Sequence, residues 1–446
     1  MTMKTDLIII GSGPGGYRAA EYAAKHGMQV VVAEEREAGG TCLNRGCIPT
    51  KTLCRNAEIA DILRNADALG CSDMSYKFDF GMVKARQEKV VSQLRSGVET
   101  LMSQPGIIFV HGKACFKDKN SVVISGEEYT ADNIIIATGA RPKVPPIPVK
   151  DNSKMITSDE LLSTNHIPQR LCIIGAGVIG MEFASIFASF GSEVTVIEYL
   201  KECLPVLDSD IAGRLRKTIA RKGVNFIMQA AVTGIDGSTV TCERKGKTQT
   251  IEADMILIAT GRTPNTEGLN LEATGVELDR NSIKTDENMQ TNVPGIYAIG
   301  DVNNRCMLAH AATMQGIRAI NAMMGKTDDI RFDIMPSAIF TNPEAASVGM
   351  SEDACKASGM AYTCRKAYHR ANGKALAMND SEGMLKLIAD ETGKIIGCHS
   401  FGAHSADMVQ EISVLMCRDT TVTQLKDMIH AHPTVNEMLQ EAAEQF

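Results

Sequence analysis

Cys42 and Cys47 lie five residues apart in Gly39-Gly40-Thr41-Cys42-Leu43-Asn44-Arg45-Gly46-Cys47-Ile48-Pro49-Thr50-Lys51, a stretch framed by glycines and a proline. At that spacing two thiols meet if the backbone bends between them, and a pair in contact can cycle between dithiol and disulfide. Metal ligation would need two more ligands at matching spacing; none is evident, so no metal is expected. The other reading is an inert pair of buried cysteines. That reading does suit most of the 13 cysteines, such as Cys172 beside Ile173 and Ile174. Scattered over a long chain, they do not form a structural disulfide framework. Arg45, between the two, reads as an exposed residue on a turn.

Thiol chemistry needs a base, because a free thiol has a pKa of about 8.5. His430-Ala431-His432-Pro433-Thr434-Val435-Asn436-Glu437 offers one. Histidine titrates near neutral pH and is oriented by a carboxylate on its other nitrogen. Pro433 suits the first position of a helix. The chain from His432 to Glu437 is therefore expected to turn back and bring carboxylate to imidazole.

Two further patterns handle phosphate. Gly11-Ser12-Gly13-Pro14-Gly15-Gly16 follows an apolar run and opens an Ala-rich stretch, and a second run, Val30 to Ala33, ends at Glu34. Gly175-Ala176-Gly177-Val178-Ile179-Gly180 repeats the arrangement, with Val194 to Ile197 ending at Glu198. From Gly11 to Glu34 and from Gly175 to Glu198 the spacing is 23 residues. One such motif is weak. Two in full context predict two dinucleotide sites, with Gly11, Gly13 and Gly16 and then Gly175, Gly177 and Gly180 admitting the pyrophosphate to a helix N-terminus, and Glu34 and Glu198 bonding ribose hydroxyls. Glu198 repels a 2′-phosphate and has only Lys201 close by, so the second site reads as NAD rather than NADP. Ala137-Thr138-Gly139 and Ala259-Thr260-Gly261 each close an apolar strand, and Gly295-Ile296-Tyr297-Ala298-Ile299-Gly300-Asp301 is a third strand ending in a turn.

These residues need a scaffold of alternating strands and helices. The expected fold class is α/β, with two Rossmann-like three-layer dinucleotide-binding domains and a C-terminal α+β domain. At 446 residues several domains are required. The expected division is 1–144 and 265–334 for the first dinucleotide fold, 145–264 for the second, and 335–446 for the last domain. Pro142, Pro145, Pro146 and Pro148 mark the linker into the second. The net charge of −7 argues against nucleic acid or an anionic membrane as partner. No apolar run is long enough to span a membrane. The strand-like run from Asp6 leaves no room for a leader, so a cytoplasmic location is expected.

The cysteine stretch resembles the redox-active disulfide of the pyridine nucleotide-disulfide oxidoreductase family (class I), which includes reductases of glutathione, trypanothione and mercuric ion. The resemblance runs over essentially the whole chain, with the motifs in the family's order. It implies FAD in the first fold and NAD in the second. It makes Cys42 the interchange thiol and Cys47 the thiol against the flavin. Lys51 would lie near the flavin and pair with Glu182, where a fixed positive charge stabilises reduced flavin. Thr138, Gly139 and Gly261 would mark chain crossings near the dinucleotides, and Asp301 would bond the flavin side chain. His432 and Glu437 become the acid–base dyad, His430 a structural residue, and 335–446 the dimerisation domain of a homodimer. Within the family, Cys-Leu-Asn-x-Gly-Cys-Ile-Pro-x-Lys and Met307-Leu308-Ala309-His310 resemble the members that oxidise protein-bound dihydrolipoamide. Their partner is the lipoyl domain of a 2-oxo acid dehydrogenase complex or the glycine cleavage H protein. Thr50 departs from the serine frequent there. The alternatives are another NAD(P)H-dependent disulfide reductase of glutathione-reductase type, a flavin transhydrogenase, which lacks the cysteine pair, or a non-enzymatic flavin-binding protein.

Overall fold

A computed structural model describes residues 3–446. They group into two compact units. One takes in the chain up to Thr52, Met82–Lys143 and Gly261–Ile330; the other takes in Leu53–Gly81, Val144–Thr260 and Arg331–Phe446.

The first unit is built on a seven-stranded sheet whose centre is the strand Met3–Ile10. Its Leu7–Ile10 run is apolar without alternation because it is covered on both faces, as a central parallel strand must be. Val30–Glu34 flanks it on one side and Glu127–Ile136 on the other, both parallel, with Ile10 level with Ala33 and Ile136. Ile296–Ala298 adds a further parallel strand beside Glu127–Ile136. Registering the carboxyl ends in this way collects the Gly11, Ala137 and Ile299 turns at one edge, where ligands of open α/β sheets bind. Helix Pro14–Lys25 packs so closely on helix Ala309–Met323 that a Cβ on Gly316 would stand 3.0 Å from Ala19 Cβ.

The second unit holds a five-stranded sheet, parallel throughout, in the order Asn225–Met228, Glu193–Glu198, Arg170–Ile174, Met255–Ile258, Met155–Ile156. It also holds a five-stranded antiparallel sheet formed by Ser337–Ile339, Ala345–Gly349, Ile395–Phe401, Met384–Asp390 and Tyr362–Tyr368. Leu385 and Leu387 of that sheet bury against Met408 and Ile412 of helix Ser405–Met416 and against Met438 and Leu439 of helix Glu437–Ala443. The fold class is thus α/β with two Rossmann-like sheets and a C-terminal α+β layer. Among the described residues no helix is long and apolar enough to cross a membrane, and no group of three or more His, Cys, Asp or Glu could hold a metal ion.

Candidate functional site

The two glycine-rich turns are near-copies in atomic detail. Gly11 has φ +104° and Gly175 φ +107°, and a Cβ on either would meet the carbonyl oxygen of Ala137 or Ala259 at 2.4 and 2.5 Å. A Cβ on Gly16 or Gly180 would fall 1.9 or 2.0 Å from the carbonyl oxygen of Gly11 or Gly175. No larger residue fits at these four positions. Gly13 and Gly177 differ: a Cβ there would meet nothing within 4 Å. Each precedes a helix, Pro14–Lys25 or Val178–Ser189, that has no side-chain cap. An open approach to uncapped N–H groups at the positive end of a helix suits a pyrophosphate, so both turns fit a dinucleotide.

The acids do more than was expected of them. Glu34 Oε2 accepts the N–H and the hydroxyl of Ser12, each at 2.8 Å, while Oε1 accepts Arg36 N–H at 2.9 Å. Glu198 Oε2 accepts Ala176 N–H at 2.6 Å and Oε1 accepts Leu200 N–H at 2.8 Å. Each carboxylate therefore ties the strand end to the glycine turn.

Thr138 and Gly139 are zipped to Asn265. The Thr138 hydroxyl donates to Asn265 O at 2.7 Å, Asn265 Nδ2 donates to Thr138 O at 2.9 Å, and Asn265 N–H donates to Gly139 O at 2.9 Å. Asp301 lies in the turn Gly300–Asn303 that follows Ile296–Ala298; burial pushes its carboxyl above the usual range, and Arg262 lies 3.6 Å away. The amide N–H of Gly300, just before it, donates to buried Gln315 at 2.7 Å. Gly261 has φ +109° and leads into Arg262-Thr263-Pro264-Asn265, a signal that follows Ala-Thr-Gly in the sequence.

Cys42 lies in the short helix Gly40–Arg45, and Cys47 opens the helix Cys47–Arg64 that carries Lys51. The bend between them depends on Gly46, where a Cβ would stand 3.0 Å from Thr41 O and 3.2 Å from Cys42 Cα. The cysteine helix is seated on the first glycine turn: Gly39 N–H donates to Ser12 O at 3.1 Å, and a Cβ on Gly40 would meet Gly13 Cα at 2.6 Å. Both sulfurs are thiols, and they are in hydrogen-bond contact. That bond and burial push the Cys42 thiol far above its ordinary pKa, with Lys51 pulling weakly the other way. Arg45 is not the exposed turn residue expected. It ends a helix, only 21% of its side chain is exposed, and its guanidinium pairs with Glu37 at 2.5 Å. Thr50 donates to Gly46 O at 2.7 Å, a bond that serine would also make.

In the second unit, Glu182 lies on helix Val178–Ser189, 3% exposed, and accepts Phe340 N–H at 2.9 Å. His432 and Glu437 do meet: Nδ1 to Oε1 is 2.9 Å, and Glu437 Oε2 accepts Thr434 N–H at 2.8 Å. The expected means was wrong. Pro433 does not start a helix; the His432–Pro433 peptide is cis and the helix begins at Glu437, whose carboxylate sits in the first turn. Thr434 N–H first, and His432 second, hold that carboxyl below its ordinary pKa. His430 is bound to Glu411 at 3.0 Å, and buried Asn372 donates to Thr434 O at 3.0 Å. Neither Glu411 nor Asn372 carries a signal in the sequence.

Residues 5–316 match the family model described as pyridine nucleotide-disulphide oxidoreductase, and residues 335–443 match its dimerisation domain. The dihydrolipoyl dehydrogenase of Mycoplasma pneumoniae is 39% identical over 98% of this chain and 97% of its own length. That of Bacillus subtilis is 39% identical over 99% and 96%. Among solved structures, the HOCl-induced flavoprotein disulfide reductase RclA from Escherichia coli superposes with a TM-score of 0.88 at 31% identity, covering 98% of this chain and 99% of that one. The chain belongs to the pyridine nucleotide-disulphide oxidoreductase family.

Proposed function

We propose that the protein oxidises protein-bound dihydrolipoyl groups to the disulfide, with NAD+ as final acceptor. The observation that carries this reading is the thiol pair Cys42–Cys47 in contact on a glycine-rich turn, in a chain whose full-length relatives include dihydrolipoyl dehydrogenases. Residues 1–144 and 265–334 form the FAD-binding part, 145–264 the NAD-binding part and 335–446 the dimerisation domain of a homodimer. When bound, FAD supplies two-electron transfer between the thiols and NAD+.

The residues divide the work as follows. In the oxidised protein Cys42 and Cys47 are joined as a disulfide. A substrate thiolate attacks the Cys42 sulfur and forms a mixed disulfide, releasing Cys47 as a thiolate. The second substrate sulfur then attacks the mixed disulfide and leaves as cyclic disulfide, and Cys42 departs carrying the electron pair of the broken bond. His432 Nε2 takes the thiol proton while Glu437 holds Nδ1 and stabilises the resulting imidazolium. Cys42, whose thiol ionises reluctantly, takes that proton from the imidazolium as it departs. Cys47 opens an 18-residue helix, whose positive end favours a thiolate beside the flavin. Lys51 adds a fixed positive charge near the flavin.

Glu198 selects NAD over NADP. Cysteines without a disulfide framework fit the cytoplasm, and the lipoyl partner is a 2-oxo acid dehydrogenase complex or a glycine cleavage H protein. Steady-state kinetics tests the reading. Dihydrolipoamide with NAD+ should turn over rapidly, and NADP+ should be a poor substitute. Efficient turnover of NADPH with glutathione disulfide instead would replace this function by that of a glutathione-type reductase.

A further inference from the structure

Little regular structure holds the segment that carries His432. It runs from the end of helix Val422–Lys426 to the start of helix Glu437–Ala443, and its Ile429 is 99% exposed. Yet both flanks of His432 converge on one carboxylate from helix Ser405–Met416. Glu411 Oε1 lies 3.0 Å from His430 Nε2, and Glu411 Oε2 accepts from Asn436 Nδ2 at 2.6 Å. The other nitrogen of His430, Nδ1, faces the carbonyl oxygen of Met428 at 3.2 Å. Both ring nitrogens thus face oxygen atoms, and the contact with Glu411 is largely shielded on the histidine side, where the side chain is 6% exposed. Hydrogen bonds to a carboxylate are stronger and more directional than neutral ones. Asn436, the second donor, is the residue on which the Glu437 helix begins.

We propose that Glu411 is a positioning residue for the thiol oxidation. A single carboxylate fixes His430 before the reacting histidine and Asn436 after it, and so determines where the His432 imidazole points. Glu411 touches neither substrate nor cofactor; it acts through the segment. The role rests on His432 being the base, as assigned above.

The test uses the FAD-loaded dimer with Glu411→Ala, Glu411→Gln, Asn436→Ala and the Glu411→Ala/Asn436→Ala double variant, beside His432→Gln. Kcat and KM for dihydrolipoamide are measured together with FAD content from the visible spectrum. Misplacing a reacting group by about 1 Å costs on the order of a hundredfold. Glu411→Ala should therefore lose about ten- to a hundredfold in kcat, with KM and FAD content held. Glutamine can accept from Asn436 and donate to a neutral His430 Nε2, so Glu411→Gln should recover most of that loss. Asn436→Ala should lose less, and the double variant should be no worse than Glu411→Ala, because both act through one clamp. The proposal is overturned if Glu411→Ala keeps the parent kcat, if glutamine rescues nothing, or if the two losses add. Should His432→Gln itself keep full kcat, the assignment of the base fails instead, and the two failures are told apart.

Discussion

His432 Nδ1 stands 2.9 Å from Glu437 Oε1, and the second oxygen of that carboxylate accepts the Thr434 N–H at 2.8 Å. The carboxylate is thereby fixed from two sides and fixes the ring in turn, on a side chain that is 79% exposed and whose Nε2 is the atom proposed to take the substrate proton. Replacing Glu437 by Gln keeps the shape and removes the charge that stabilises the imidazolium. We expect kcat for dihydrolipoamide to fall about ten- to a hundredfold. Because Glu437 titrates below the ordinary carboxylate range, its contribution is complete above that range and is lost only as pH falls through the lowered value. Steady-state kinetics at neutral pH checks this: His432→Gln should lose more kcat than Glu437→Gln, and an equal or smaller loss would place the base elsewhere.

The two cysteines should be told apart by colour. With Cys47 against the flavin, Cys42→Ser should show a long-wavelength thiolate–flavin absorption at neutral pH without added reductant. Cys47→Ser should show none at any stage of a reductive titration. The reverse pattern would exchange the two roles.

Glu198 holds the glycine turn and is proposed to bond the ribose as well, and its substitution should reveal both. Alanine removes the acceptor for the ribose hydroxyls and also leaves the Ala176 and Leu200 N–H groups without their partner. Loss of a hydrogen bond to a charged group costs about 1.5–3 kcal/mol, on the order of ten- to a hundredfold in kcat/KM for NAD+. Discrimination against NADP+ should shrink at the same time, because repulsion of the 2′-phosphate is gone. An unchanged NAD+/NADP+ ratio in Glu198→Ala would exclude contact with the ribose.

Acid should weaken the second unit through His399. This buried ring accepts the Asp208 N–H at Nδ1, 3.1 Å away, and burial pushes its pKa down to about 4. The unfolded chain takes up that proton first, so stability is complete above about pH 6.5 and declines as pH falls toward 4. The loss over this window is on the order of 3 kcal/mol. His399→Gln should flatten the dependence of denaturation midpoint on pH between those limits. An unchanged slope would show that the ring does not govern it.

If the homodimer shares its active sites between subunits, Cys42→Ser and His432→Gln should complement each other. Unfolding and refolding them together puts about half the dimers in the mixed form, each with one intact Cys42 facing one intact His432, and recovers about a quarter of parental activity. A co-refolded mixture as inactive as either parent, with heterodimers demonstrated, would place each dyad with the cysteines of its own chain.

The glycine turns and the strand-end acids were legible from sequence because their constraint is local. Gly16 must be glycine because a Cβ would strike a carbonyl five residues back, and Glu34 lies at the end of a strand whose apolar run is visible in one dimension. The Cys42–Cys47 contact was legible for the same reason, since Gly46 sets the bend between near neighbours. The residues that orient the site were not. Asn265 reaches Thr138 across 127 positions, Asn372 reaches Thr434 across 62, and Glu411 reaches Asn436 across 25. Pro433 misled because a helix-start preference was read where hydrogen bonds to Glu437 organise the turn instead. A periodic pattern or a steric prohibition is written into neighbouring residues, whereas a hydrogen bond between distant elements depends on how their sheets and helices pack, and that is decided only when the chain folds.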